Sequence, residues 1–498
     1  MTLPASVGAK FAELAVAAPD RAFLRSSGGA SFSRGDMDRL ARLMAGRLWE
    51  AGARPGDRVT AVVEKSAEAF ALYVACQYGG FVYHPANIGY TDQELAYLVE
   101  DAAPKVIVCD PARQDAFEGA AAVMTLDSAG RGPIAETSGV APDLSYEPAS
   151  DDWAALLYTS GTTGKPKGAM LTHGNLLSNA ETLIDAWRIT DQDRLLHVLP
   201  IFHVHGLFVA GNTALCAGYE MFFEQKFDLD TAFTLLPEAT LFMGVPTHYG
   251  RLMSDPRLNK DATSAMRLFV SGSAPLDAVA SDTFYDKTGL RVLERYGMTE
   301  TVMLTSNPYE GDRVAGSVGP ALPGVELRLR KDDGALAETG ETGVVEVRGP
   351  NVCKGYFNLP EKTKEAFTDD GFFVTGDIGV MDERGYVTLQ GRLSDMIISG
   401  GYNVYPREVE NALLEQPAIL EAAVFGVPHP DFGEGVVAVA VADGAAPDEA
   451  DILAGVKGVI AAYKSPKRVF MREELPKNAM GKIDRKVLRA EFNDLFSK

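Results

Sequence analysis

Cysteine, tryptophan and histidine are scarce in this 498-residue chain, with 4, 3 and 7 copies. The cysteines, Cys76, Cys109, Cys216 and Cys353, are far apart and show no metal-ligand spacing, which leaves buried reduced thiols as the simplest reading. Cations are outnumbered: 47 Lys and Arg against 68 Asp and Glu give a net charge of −21. That balance excludes a general nucleic-acid binder, which needs basic surface to replace counterions. It leaves room for an anionic ligand, because a few local cations and backbone amides suffice. No apolar run approaches the ~20 residues of a membrane span. The N-terminal stretch has no basic segment ahead of an apolar core, and Glu13 interrupts it. A cytoplasmic location with no membrane partner is therefore the expectation.

What is present is ordinary for a folded soluble protein: 46% hydrophobic and 23% charged residues. The length exceeds one compact core, so two or more domains are expected. Helical and strand-like periodicity alternate in the first part. Residues 33–51 carry Leu40, Leu43, Met44 and Leu48 at helical spacing behind Ser33, an N-cap candidate. Residues 58–63 read as a strand, 66–78 as a helix and 105–109 as another strand. Such alternation predicts an α/β fold with a mostly parallel sheet under helices, and it returns over 154–293. Residues 306–389 are richer in Gly and Pro with short strand-like runs, which predicts a small β-rich subdomain. A fresh start follows residues 391–395: a helix at 406–414, then strands at 422–427 and 435–441. The tail has the length of a small α/β module.

The sharpest local signal is Tyr158-Thr159-Ser160-Gly161-Thr162-Thr163-Gly164-Lys165-Pro166-Lys167-Gly168, entered from the apolar run 154–157. Glycines let backbone N–H groups close on an anion, hydroxyls add donors, and Lys165 and Lys167 add charge. It is not a Walker A loop, because no Gly-Lys-Ser/Thr closes it. The string resembles the signature of the adenylate-forming superfamily: acyl-CoA synthetases, peptide-synthetase adenylation domains and luciferases. Further motifs follow in that family's order over nearly the whole chain.

The resemblance implies ATP, Mg²⁺ and coenzyme A as cofactors and a carboxylic acid as substrate. It makes Thr159, Ser160, Gly161, Thr162, Thr163, Gly164, Lys165 and Lys167 the phosphate cradle. Gly272, Ser273, Ala274 and Pro275 would pack on the adenine. In Glu294-Arg295-Tyr296-Gly297-Met298-Thr299-Glu300, Tyr296 would stack on the purine and Thr299 would donate to the α-phosphate. Glu300 would ligate Mg²⁺ with help from Thr162. Asp377, in a segment read together with Tyr356, and Arg392 would reach the ribose. Residues 392–395 would form a hinge between a domain of residues 1–391 and a mobile module of residues 396–498. Gly400 and Gly401 would line the pantetheine path. Lys482, in Pro476-Lys477-Asn478-Ala479-Met480-Gly481-Lys482, would be the catalytic lysine. Family members are often regulated at this lysine, which makes Lys482 a candidate target of a protein acyltransferase.

The acid is less directly legible. Residues 205–305 resemble malonyl-CoA synthetases, with His205, Arg251, Ser271 and Met303 as candidate pocket residues. A guanidinium there would pair a second carboxylate bidentately, so malonate, or methylmalonate, is expected. Family members often carry Asn where Leu304 stands. The bland alternative for Arg251 is a helix-surface cation, and for His203 a turn cap. Competing enzyme readings are a short monocarboxylate–CoA ligase and a stand-alone enzyme that loads a carrier protein. The absence of a Gly-x-Ser-x-Gly elbow agrees with chemistry that needs no serine nucleophile.

Overall fold

The computed structural model describes residues 5–137, 146–159, 166–457, 459–478 and 482–497. The protein is α/β, with parallel sheets in a large N-terminal part and a smaller C-terminal part. Contacts divide it into two compact units. One comprises Met1–Glu326 and Val347–Phe373; the other comprises Leu327–Glu346 and Val374–Lys498. The β-rich segment 306–389 is thus divided between the two units.

The first unit holds two sheets among its described residues. One has eight strands: Thr305–Ser306, Leu293–Tyr296, Leu268–Ser271, Leu241–Gly244, Arg194–His197, Glu220–Phe223, Ala22–Arg25 and Ser31–Ser33, in that spatial order. All neighbours are parallel except the pairs at the two edges. The other has six strands, and Arg58–Val62 lies between Val106–Cys109 and Val82–Pro85. Strands Leu241–Gly244, Leu268–Ser271 and Leu293–Tyr296 are buried at every residue, as strands covered on both faces must be. Their C-terminal ends deliver Gly244, Ser271 and Tyr296, where open α/β sheets place ligands.

Local chemistry fixes the helices. Ser33 caps Arg34–Glu50 in a reciprocal capping box with Asp36, and Ser66 caps Ala67–Gly79. Both begin within a residue of the position read from sequence. In the second unit, strands Phe373–Met381 and Val387–Arg392 pair antiparallel, with Asp377 opposite Arg392. Strands Ile397–Ser399 and Tyr402–Val404 form a hairpin whose tip is Gly400-Gly401, with φ of +60° and +83°, the left-handed pair a tight hairpin turn uses. Helix Pro406–Leu414 and strands Ile419–His429 and Gly433–Ala442 follow. No helix among the described residues is long and apolar enough to cross a membrane.

Buried histidines give the fold an acid limit. Burial pushes His84 down to about 3 and His173 and His248 down to about 4. Below the ordinary value of 6.5 the unfolded chain takes protons that these rings refuse, so unfolding gains as pH falls. Stability should be flat above pH 6.5 with respect to these groups and fall between 6.5 and about 4. Each ring contributes up to about 1.4 kcal/mol per pH unit. Urea midpoints from pH 8 to 4 check this; no decline below 6.5 would contradict it.

Candidate active site

The phosphate-loop residues Ser160, Gly161, Thr162, Thr163, Gly164 and Lys165 lie outside the described residues. Their flanks are defined: Thr159 ends strand Trp153–Thr159 and stands opposite Lys167, the first residue of Lys167–Thr172. The Lys167 ammonium sits 4.2 Å over the Tyr356 ring. The Tyr356 hydroxyl donates to Glu300 Oε1 at 2.9 Å. One contact chain therefore joins the loop's flank to a buried carboxylate, 4% exposed. Tyr356, read in sequence together with the Asp377 segment, meets Glu300 and Lys167 with its side chain and Thr363 with its amide.

Glu294, Arg295 and Tyr296 occupy the buried strand Leu293–Tyr296. Glu294 Oε1 accepts from the Gly316 amide at 2.9 Å. The turn after the strand is tightly folded. Val302 adopts φ +53°, an unusual conformation for a β-branched residue, and a Cβ on Gly297 would meet the Val302 carbonyl at 1.9 Å. Asn351 holds that carbonyl's neighbours, donating to Thr301 O and Met303 O at 2.7 and 2.9 Å. Asn179 also donates to Met303 O, at 2.9 Å. Strain held by surrounding hydrogen bonds at a turn bearing Met298, Thr299 and Glu300 is the arrangement expected of a preorganised site. Gly297→Ala should slow AMP release by about two orders of magnitude; an unchanged rate in a folded variant would contradict this.

Ser271 ends the neighbouring strand, and Gly272, Ser273, Ala274 and Pro275 continue from it. Ser273 has φ +68°, and its hydroxyl lies 3.2 Å from His205 Nδ1. A Cβ on Gly272 would meet the Arg295 guanidinium carbon at 2.3 Å, so glycine there is what lets the guanidinium lie against the backbone. Arg295 is 4% exposed, and its Nε and Nη2 have no hydrogen-bond partner. Burial pushes Arg295 down to about 9. His205 is buried with Nε2 unpartnered, and its affinity for a proton is depressed by burial, then by Arg295 and by His203, His197 and His248. Four of the seven histidines thus gather here. Ser271 Oγ and Thr301 Oγ1 are also buried without partners. Such an array of unsatisfied donors is costly unless a polar ligand meets it.

Arg251 is set differently from the buried pocket cation expected. It is exposed, in the last turn of helix Pro246–Met253, with its guanidinium carbon 4.9 Å over Phe227. The surface-cation alternative describes that setting. His203 Nδ1 accepts from the His205 amide at 3.4 Å, as a turn cap would. Met303 and Leu304 are buried, 2% and 0% exposed.

In the second unit, Arg392 Nε donates to Asp377 Oδ1 at 3.0 Å, so the two ribose candidates are cross-strand partners. Asp395 accepts from Arg489. Gly400 and Gly401 are exposed. The backbone of Lys482 is clipped by Asn478: its amide donates to Asn478 Oδ1 at 3.1 Å, and its carbonyl accepts from the Asn478 amide at 2.8 Å. Ala479, Met480 and Gly481 lie outside the described residues.

The profile of the AMP-binding enzyme family matches residues 11–357, and that of the AMP-binding enzyme C-terminal domain matches residues 408–482. The chain belongs to this family. A malonate–CoA ligase from Arabidopsis thaliana is 36% identical over 484 residues, 89% of this chain and 79% of that protein. ATP-bound MatB from Rhodopseudomonas palustris is 48% identical with a TM-score of 0.96, covering 99% of this chain and 100% of that one. The o-succinylbenzoate coenzyme A synthetase of Bacillus subtilis, in complex with ATP and magnesium, is 29% identical with a TM-score of 0.85, covering 97% and 98%. This AMP-binding enzyme is an AMP-forming acyl-CoA synthetase that uses ATP, Mg²⁺ and coenzyme A. Its residues suit those ligands. Glu300 offers one hard oxygen donor, which suffices for a Mg²⁺ that takes its other ligands from phosphate and water.

Sequence reading missed Lys65, His197, Asn179 and Asn351. All four are buried polar residues that act across long stretches of chain. Only the compact Phe202–Gly206 histidine cluster hinted that polarity concentrates here.

Proposed function

We propose that this acyl-CoA synthetase activates a short dicarboxylic acid, malonate or methylmalonate. The observation that carries the reading is the buried Arg295 guanidinium with unpartnered Nε and Nη2, grouped with His205, whose Nε2 is also unpartnered. A monocarboxylate tail would leave those donors unsatisfied, whereas a second carboxylate can take them. The malonate–CoA ligase and MatB likenesses support the same class of acid.

In this reading one carboxylate oxygen attacks the α-phosphorus of ATP and pyrophosphate leaves. Lys482 neutralises charge on the α-phosphate and Thr299 donates a hydrogen bond to it, while Glu300, with Thr162, would hold Mg²⁺, which would supply charge neutralisation on the phosphates. Thr159, residues 160–165 and Lys167 cradle the phosphates, while residues 272–275 and Tyr296 flank the adenine. Asp377 and Arg392 take the ribose hydroxyls. Residues 392–395 serve as the pivot of the module 396–498, which then brings Gly400 and Gly401 toward the acyl group. The coenzyme A sulfur attacks the acyl carbonyl, the C–O bond to phosphate breaks, and AMP leaves. Lys482 is also a site at which a protein acyltransferase would switch the enzyme off.

The test is AMP release with ATP, Mg²⁺ and coenzyme A across malonate, methylmalonate, succinate, acetate, propionate and butyrate. Preference for the first two is expected. Preference for butyrate would replace the dicarboxylate with a monocarboxylate. Poor turnover with free coenzyme A but good turnover with a carrier-protein thiol would favour the carrier-loading reading.

A further inference from the structure

Lys65 is buried, 7% exposed, in the turn that follows strand Arg58–Val62. Its ammonium donates to His197 Nδ1 at 2.8 Å and to the His197 carbonyl at 2.9 Å, and lies 4.3 Å over the Phe223 ring. The other ring nitrogen, His197 Nε2, is 2.9 Å from the Gly206 carbonyl. A carbonyl oxygen only accepts, so Nε2 must carry the proton. The neutral ring then presents its lone pair at Nδ1, where Lys65 donates. One tautomer is therefore fixed from both sides. Glu224, the acid that acts on Lys65 through space, has its carboxylate occupied by the Ser27 amide and hydroxyl at 2.7 and 2.5 Å.

The anchored carbonyl belongs to the wide helical turn His205–Gly211, whose first residue is His205. A Cβ on Gly206 would meet the Pro200 carbonyl at 2.1 Å, so this backbone has little room to shift. His205 reaches Ser273 with one ring nitrogen and leaves the other unpartnered. Lys65 follows a strand of the six-stranded sheet and His197 ends one of the eight-stranded sheet, so the contact also ties the two sheets together beside the histidine cluster.

We propose that Lys65 is a positioning residue for acid recognition: through the His197 tautomer and the Gly206 carbonyl, it holds His205 at the angle from which it meets the substrate. The inference rests on the reading of His205 as part of the acyl pocket. It does not depend on which acid is preferred.

The experiment uses whichever acid the wild-type enzyme turns over best, so failure of the dicarboxylate reading is seen in the wild-type alone. Lys65→Met removes the donor at similar length. The KM for the acid should rise at least tenfold, with the KM values for ATP and coenzyme A changing less than threefold. His197→Phe should show the same split. His197→Gln, which keeps a donor and an acceptor, should return the acid KM to within threefold of wild type. A folded Lys65→Met enzyme with an unchanged acid KM, or with equal rises for all three substrates, overturns the proposal. Should the variants not fold, ¹⁵N-histidine spectra of the wild-type protein decide. The Nε2–H form of His197 is expected, and an Nδ1–H or doubly protonated ring overturns the proposal.

Discussion

Lys482→Ala should lower acyl-adenylate formation about a thousandfold while leaving thioester formation from a supplied acyl-adenylate within about threefold. Charge sets this expectation. In the first half-reaction negative charge is shared among the attacking carboxylate, the α-phosphate and departing pyrophosphate, and an ammonium placed there acts where charge builds. In the second half-reaction AMP leaves from an acyl carbonyl, and the lysine has no comparable task. The structure gives this side chain a defined base, since Asn478 clips the Lys482 backbone from both directions. Helix Arg485–Phe492 follows, anchored by Arg485 to the buried Glu410. Truncation at Cβ disturbs none of those contacts, so the variant should fold normally. Pyrophosphate exchange reads the first half-reaction, and AMP release from synthetic adenylate reads the second. Loss of both, or retention of exchange, would contradict the assignment.

Arg295→Met should cost the dicarboxylate about a thousandfold in kcat/KM, less than tenfold for butyrate, and should not lower the melting temperature. The stability half is the unusual part. Removing one member of a buried ion pair normally destabilises, because the other charge is stranded. Here the guanidinium has Nε and Nη2 unpartnered and is held down to about 9 by burial. An unbranched apolar side chain relieves that desolvation, so the variant should melt at the same temperature or higher. Activity and stability moving in opposite directions is the signature of a residue kept for its ligand. A variant that loses both would mark Arg295 as a structural residue. Arg251→Ala belongs beside it: its exposed position over Phe227 leads to a smaller loss.

The contrast between these two arginines shows what sequence patterning reaches. Resemblance places Arg251 in the acyl pocket and Arg295 in the nucleotide motif, and neither placement shows which of the two is buried. Arg295 is deeply buried because its strand, second from the sheet's edge and covered there by Thr305–Ser306, is buried at every residue. Arg251 is exposed because it falls on the outer side of a short helix. The helices capped by Ser33 and Ser66 and the β-rich region were legible because their signals span a few residues. The motifs bearing Tyr296, Glu300 and Lys482 were legible through resemblance. The supporting contacts were not. Lys65 and His197 are 132 positions apart, and Asn179 reaches Met303 across 124. Each residue alone reads as an ordinary surface polar group, and only the packing of two sheets reveals the pair.

In the proposed function a second carboxylate is read by buried cationic chemistry. The most direct measurement compares malonate with monomethyl malonate in the wild-type enzyme, by AMP release at saturating ATP and coenzyme A. The ester keeps one carboxylate for activation and removes the other charge. A fall in kcat/KM of at least about a hundredfold is expected, the size of leaving a buried charged donor unpaired. Equal turnover of the acid and its half-ester would contradict the claim.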